Sequence, residues 1–192
     1  MPLSHDRPQS LLFCLSALVV TLSLQAAGTT EVFFSPEGGC TDAIVREVRR
    51  ASRSVHVQAF SFTSQPIARA LTEASKRGVE VVVLFDQGIV QEPHAAVEIL
   101  EKAGVPWFLD REHAIAHNKV MVIDDSVVVT GSFNFTTAAE HHNAENVLVI
   151  HDVDLAARYQ ANWKLHRAHS QPGTFPSSPA RPGRSSRRTR QP

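Results

Sequence analysis

The residues able to do chemistry crowd into one stretch of the chain. His117-Asn118-Lys119 stands at the mouth of an apolar run, Val120-Met121-Val122-Ile123, which Asp124 closes; Gly131-Ser132-Phe133-Asn134 follows a second apolar run, Val127–Thr130. In extended chain, side chains two residues apart leave the same face, so His117 pairs with Lys119 and Ser132 with Asn134. Folded back on one another as a hairpin through Asp124-Asp125-Ser126, the two runs bring an imidazole, an ammonium, a hydroxyl and an amide to one small volume. That set suits a phosphodiester. Lys and Asn donate hydrogen bonds to nonbridging oxygens and offset charge developing at phosphorus, and a neutral His attacks phosphorus or moves protons near pH 7. The carboxylates are not clustered as a two-metal nuclease centre requires, so no metal and no cofactor is expected in this chemistry. Glycine-rich phosphate loops of the G-x-G-x-x-G and G-x-x-x-x-G-K-[ST] kinds are absent.

Taken singly, each of these residues is ordinary: a structural His beside a strand, a solvated edge Lys, a turn-forming Asp, loop Ser and Asn. Their joint spacing argues for a site. The remaining candidates are weaker. His141-His142, with His113 and His151 nearby in sequence, fits no standard zinc spacing and reads as polar loop. Asp86, at the end of a buried strand, is a candidate substrate-side residue, because α/β proteins place functional groups there. Tyr159 and Trp163 read as core, and Cys40 as a small packing residue at a helix start.

The elements that must position the motif follow from periodicity. Glu31–Phe34 reads as a short strand, Thr41–Ser52 as a helix, and Ser54–Phe62 as an alternating strand. Gln65–Arg77 is a helix with Gly78 where a C-terminal cap belongs. Val79–Phe85, nearly all apolar and β-branched, reads as a central strand buried on both faces. A helix over Ala95–Ala103 ends at Gly104, Val105–Leu109 is a strand, the hairpin follows, then a strand at Asn146–Ile150 and a helix over Val153–His166. Strands alternating with amphipathic helices, plus a hairpin, predict an α/β sandwich: a mixed β-sheet flanked by helices.

The 19 Lys+Arg and 19 Asp+Glu of the 192 residues cancel, but unevenly. Residues 28–170 hold 13 basic and 18 acidic side chains, while 171–192 hold five Arg and no acid. The divisions expected are 1–27, 28–170 and 171–192. In the first, an apolar run Leu11–Leu24 followed by Ala26-Ala27-Gly28 has the layout of a secretory signal, the alternatives being a retained anchor or an apolar core helix. Export to the periplasm or medium is the expectation. The last, rich in Pro, Ser and Arg, reads as a disordered tail, either solubilising or a tether to nucleic acid or anionic lipid.

The pattern H-x-K-x4-D-x6-G-S-x-N, met without a gap by His117, Lys119, Asp124, Gly131, Ser132 and Asn134, resembles the signature of the phospholipase D superfamily. The wider likeness, over residues 31–168, is to its small bacterial single-motif members, the exported Nuc-type nucleases. It includes Ser35-Pro36-Glu37-Gly38, Phe60-Ser61-Phe62-Thr63, Gly131–Thr136 and Asn143-Ala144-Glu145-Asn146. The resemblance implies a phospholipase D-like fold and a metal-independent phosphodiesterase acting on DNA or RNA, or alternatively on phospholipid headgroups. It implies that His117 is the nucleophile, that Lys119, Ser132 and Asn134 hold phosphate, that Glu145 bonds the far ring nitrogen of a catalytic His, and that Asp124 gives electrostatic support. The family mechanism uses two motifs. No other His here has Lys two residues on, so a homodimer with its active site at the interface is expected.

Overall fold

The computed structural model describes residues 28–92 and 95–175. Its elements run β1 (Thr29–Ser35), α1 (Cys40–Arg50), β2 (Ser54–Ala59), α2 (Gln65–Lys76), β3 (Glu80–Asp86), a 3-10 turn at Gln87–Gln91, α3 (Ala95–Lys102) and β4 (Trp107–Asp110). Then come β5 (Lys119–Ile123), β6 (Val127–Gly131), the short α4 (Thr137–His141), β7 (Glu145–His151), α5 (Val153–His169) and β8 (Gln171–Pro172). The strands form one sheet in the order β1-β7-β6-β5-β2-β3-β4-β8.

The sheet is mixed for a reason visible in the connections. Helices α2 and α3 carry the chain back across the sheet, so β2, β3 and β4 run parallel. A tight turn joins β5 to β6, and these two, like β6 with β7 and β7 with β1, pair antiparallel. The seam between the two halves is the antiparallel pair of β2 and β5, in which Ala59 faces Lys119. Every residue of β2 and of β5 is buried. Helices α1, α2 and α3 pack side by side over one face, where Ile44, Val48, Leu71 and Leu100 meet Val57, Phe85 and Met121. Helix α5 covers part of the other face, with Ala156 against Val120, Val122 and Val128. The β-branched runs read from the sequence are thus strands with an apolar layer on each side. Gly78, at φ 90°, ends α2 as expected. Cys40 opens α1 fully buried, and burial pushes its thiol up to about 11, as befits a packing residue.

The chain leaves the domain later than composition suggests. Residues expected in the tail begin with β8, where Gln171 and Pro172 pair with Leu109 and Phe108 on the edge of the sheet, and Phe175 lies 5.1 Å from the Trp107 ring. Proline is tolerated at an edge because one side of the strand needs no ladder donor, and Trp107 offers the apolar surface that the segment lacks in itself. The leading segment 1–27 and the arginines of 181–190 lie outside the described residues. Among the described residues no helix is long and apolar enough to cross a membrane.

Candidate active site

The hairpin that carries the motif is fixed at its tip. Asp124 and Asp125 take left-handed conformations (φ 51° and 54°), Ser126 N–H donates to the Ile123 carbonyl at 3.0 Å, and Val120 sits opposite Thr130. Asp is among the few non-glycine residues that enter this region readily. At the other end of the hairpin, His117 and Lys119 enter β5 as Ser132 and Asn134 leave β6, and Glu145 begins the next strand, β7. Together with Tyr159 they line an open cleft of about 480 Å³. Gly131 makes this end possible: its φ is 150°, and a Cβ there would stand 2.2 Å from the Asn146 carbonyl oxygen.

The His117 ring is exposed, 4.5 Å from Phe60 at a tilt of 57°. Lys119 is only 6% exposed; its Nζ donates to the His117 carbonyl at 2.6 Å and stands 5.0 Å from the centre of the Phe60 ring. Burial lowers the Lys119 pKa from its ordinary value, and Glu145 pulls it partly back. A desolvated ammonium without an ion-pair partner among the described residues is a ready anion site. Ser132 Oγ accepts from the Asn146 backbone at 3.1 Å and from Asn146 Nδ2 at 3.3 Å, which leaves its proton to be donated. Asn134 Oδ1 is buried and has no hydrogen-bond partner among the described residues. An orphaned buried acceptor costs about 1–3 kcal/mol; donation to an anion would come from the Nδ2 of the same amide.

Asp124 and Glu145 stand differently toward the cleft. Asp124 lies at the far end of β5, roughly 15 Å along the strand from Lys119, and does not join the cleft. Its carboxylate accepts from the backbone of Ser52, Arg53 and Ser54 at 2.7–2.9 Å and from the Ser52 hydroxyl at 2.9 Å. It ties the hairpin tip to the α1–β2 connection, a structural task. Glu145 does line the cleft, but within the chain its carboxylate accepts from Asn143 Nδ2 at 3.2 Å and makes no bond to His117 among the described residues. Its backbone is held by Ser35, whose hydroxyl accepts the Glu145 N–H and donates to the Asn143 carbonyl.

Comparison with known proteins places this geometry. The family model described as "Cardiolipin synthase, PLD-like domain" matches residues 44–166, which include the whole motif. The chain belongs to the phospholipase D superfamily. As a member it is a hydrolase of that superfamily, a phosphodiesterase. A "Phospholipase D" of Rickettsia felis is 41% identical over 135 residues, covering 70% of this chain and 68% of that protein. A "Mitochondrial cardiolipin hydrolase" of Xenopus laevis is 34% identical over 125 residues, 65% of this chain and 60% of that protein. The crystal structure of Nuc from Salmonella typhimurium, titled a phospholipase D family member, superposes with a TM-score of 0.72 at 33% identity, covering 76% of this chain and 98% of that one.

Around the phospholipase D-type cleft, the structure redistributes the weaker candidates. Asp86 is buried behind it rather than facing substrate; its carboxylate accepts from Gly88 N and from Ala116 N, each at 2.7 Å, so it positions the residue before His117. Trp163 is core, stacked on His56 at 4.2 Å with its Nε1 donating to the Val57 carbonyl. Tyr159, read as core, packs half-buried against the cluster of Val120, Val122, Val128 and Ala156 and also forms part of the cleft wall. His141 and His142 are exposed beside α4 and do not gather with His113 or His151. The histidines that do converge are His113, His166 and His169, around Asp110. An Asp-x-x-His at the end of a strand and a His-x-x-His on one helical face were the legible signals for this group, and both passed unread.

Proposed function

We propose that the chain is a metal-independent phosphodiesterase that cleaves nucleic acid with little sequence preference, through a phosphohistidine on His117. The observation that carries this reading is the convergence of His117, Lys119, Ser132 and Asn134 on one open cleft. Lys119, Asn134 and Ser132 hold the nonbridging oxygens while the His117 ring nitrogen attacks phosphorus. A P–N bond forms, the P–O bond to the leaving group breaks, and a second imidazole protonates the departing oxygen. Water then attacks phosphorus, that second imidazole takes its proton, and His117 is released. The second imidazole is His117 of another copy of the chain, and Glu145 orients a catalytic ring once two chains meet. The exposed apolar side chains of Val32 (52%) and Phe34 (63%) support this pairing. They lie on the edge strand β1, and Phe34 sits opposite Asn146, the residue that braces Ser132. Export directed by residues 1–27, and polyanion contact by the arginines of 181–190, belong to the same proposal.

A second reading, hydrolysis of phospholipid headgroups, is favoured by Ile115, which is 61% exposed two residues ahead of His117, and by the names of the Rickettsia and Xenopus relatives. The test is a substrate panel in excess EDTA: plasmid DNA, RNA, phosphatidylcholine and cardiolipin. DNA and RNA are cleaved, and acid-labile phosphate is trapped on wild-type protein but not on His117→Ala. Loss of cleavage on brief chelation with the melting temperature unchanged would overturn the metal-free mechanism, and faster turnover of cardiolipin than of DNA would move the assignment to lipid.

A further inference from the structure

Outside the cleft, the densest gathering of titratable groups surrounds Asp110, the last residue of β4, which is 1% exposed. Its Oδ2 stands 2.9 Å from His113 Nδ1, 2.8 Å from His166 Nδ1 and 3.2 Å from His169 Nε2. His113 lies on the loop after β4; His166 and His169 are three residues apart in the last turn of α5 and so share a face. The rings are packed, with centroids 4.7 Å apart for His113 and His166, 5.3 Å for His113 and His169, and 5.5 Å for His166 and His169. We propose that Asp110, His113, His166 and His169 form a structural site for one divalent transition-metal ion of the Zn²⁺ class.

Four features point this way. A tetrahedral zinc ion with bonds of about 2.0–2.1 Å sets its ligand atoms about 3.3 Å apart, close to the 2.8–3.2 Å that separate the Asp110 oxygen from the three ring nitrogens. Secondly, His169 is oriented as zinc-bound histidines are. Its Nε2 faces Asp110 while its Nδ1 lies 3.3 Å from Glu112 Oε2, and an outer carboxylate on the far nitrogen fixes the tautomer that leaves the inner lone pair for the metal. Thirdly, three ring nitrogens crowd one carboxylate oxygen, which has two lone pairs to offer them, whereas one ion with three neutral rings satisfies all four residues. Lastly, the C-terminal end of α5 presents its partial negative charge here, which favours a cation. With four protein ligands the site is closed, as structural zinc sites are.

The consequence is mechanical. The segment between Asp110 and β5 is irregular, yet it delivers His117. An ion bound here ties the start of that segment to α5 and β4, while Asp86 holds its end through Ala116 N. Asn118 lines both the catalytic cleft and the small cavity beside Asp110 and His166. No step of the proposed phosphoryl transfer passes through the ion.

The experiment is a titration of the purified protein, freed of metal with chelator and dialysed, with Co²⁺ followed by its visible absorption and then with Zn²⁺ as competitor. The result expected is one Co²⁺ per chain with the intense band of a tetrahedral site, displaced by Zn²⁺, and a rise in melting temperature on Zn²⁺ addition. His169→Ala and the half-exposed His113→Ala each weaken binding at least tenfold and lose the thermal shift, with circular dichroism matching metal-free wild type; the His141→Ala/His142→Ala double variant binds as wild type does. Absence of saturable binding at micromolar metal, or binding by His113→Ala and His169→Ala as tight as that of wild type, would overturn the site. The same titration of His117→Ala gives the wild-type result, so it stands apart from the phosphodiesterase reading.

Discussion

At the scale of single residues, Lys119 and Asp124 share a motif but not a task, and substitution separates them. Burial disfavours the Lys119 ammonium in the folded chain, so Lys119→Met removes an unfavourable charge while deleting the phosphate donor of the proposed mechanism. The expected outcome is a loss of about 10²–10³ in kcat with a melting temperature equal to or above wild type. A variant that is less stable, or fully active, would contradict the role. Asp124 behaves in the opposite way. Burial by itself would raise its pKa, but the N–H groups of Ser54, Ser52 and Arg53 and the Ser52 hydroxyl outweigh this and hold it below the usual carboxylate range. A folded pKa below the unfolded one means stability that is complete above the unfolded value and lost as pH falls through the folded one. Asp124→Ala therefore costs about 2 kcal/mol at pH 7, and the denaturation midpoints of variant and wild type converge in strong acid. Rate per folded molecule at pH 7 stays near wild type; a collapse of kcat in a folded Asp124→Ala protein would restore it to the catalytic set.

At the scale of elements, the cleft depends on how closely β6 approaches β7. With φ at 150° and the Asn146 carbonyl beside it, Gly131 accepts no side chain without a shift of the segment that bears Ser132 and Asn134. Gly131→Ala is expected to lower kcat by about 10²-fold through misplacement of these donors, with little change in secondary structure by circular dichroism; wild-type kinetics would show that the approach is not critical. Elements of this kind were legible where periodicity alone determines burial. The run Val79–Phe85 and the helix ending at Gly78 follow from apolar pattern and a glycine cap, and both stand within a residue or two of their expected limits. What pattern does not encode is distance. The spacing from Lys119 to Asp124 looks like proximity, yet five residues of extended chain carry Asp124 to the opposite end of the sheet. The pairing of Gln171–Pro172 with β4, and the meeting of His113 with His166 and His169, depend on contacts between segments far apart in sequence. Local pattern says nothing about such contacts. His117, Lys119, Ser132 and Asn134 were legible because the hairpin makes their contacts local, whereas Glu145, on β7, rested on the family resemblance.

At the scale of the whole molecule, the question is why a domain with a complete sheet and core brings one imidazole to its cleft where the proposed reaction scheme uses two. In the proposed pairing a second chain would supply the other, and the exposed Val32 and Phe34 on β1 offer apolar surface next to the strands that hold the cleft. If that surface closes the pair, Phe34→Glu gives a monomer by sedimentation, with an unchanged circular dichroism spectrum and activity reduced in parallel with dimer. The sharper expectation concerns mixtures. When wild-type and His117→Ala chains exchange freely in equal amounts, half of the pairs formed at random contain one chain of each kind. Each mixed pair has one imidazole in the site and cannot complete the cycle, so activity falls to about half that of the same wild-type protein unmixed. An Asp124→Ala chain used in place of His117→Ala brings its own imidazole and causes no such loss. Activity that follows the wild-type amount alone would mean that each chain works by itself, and that the second proton carrier must be sought among residues of the same cleft.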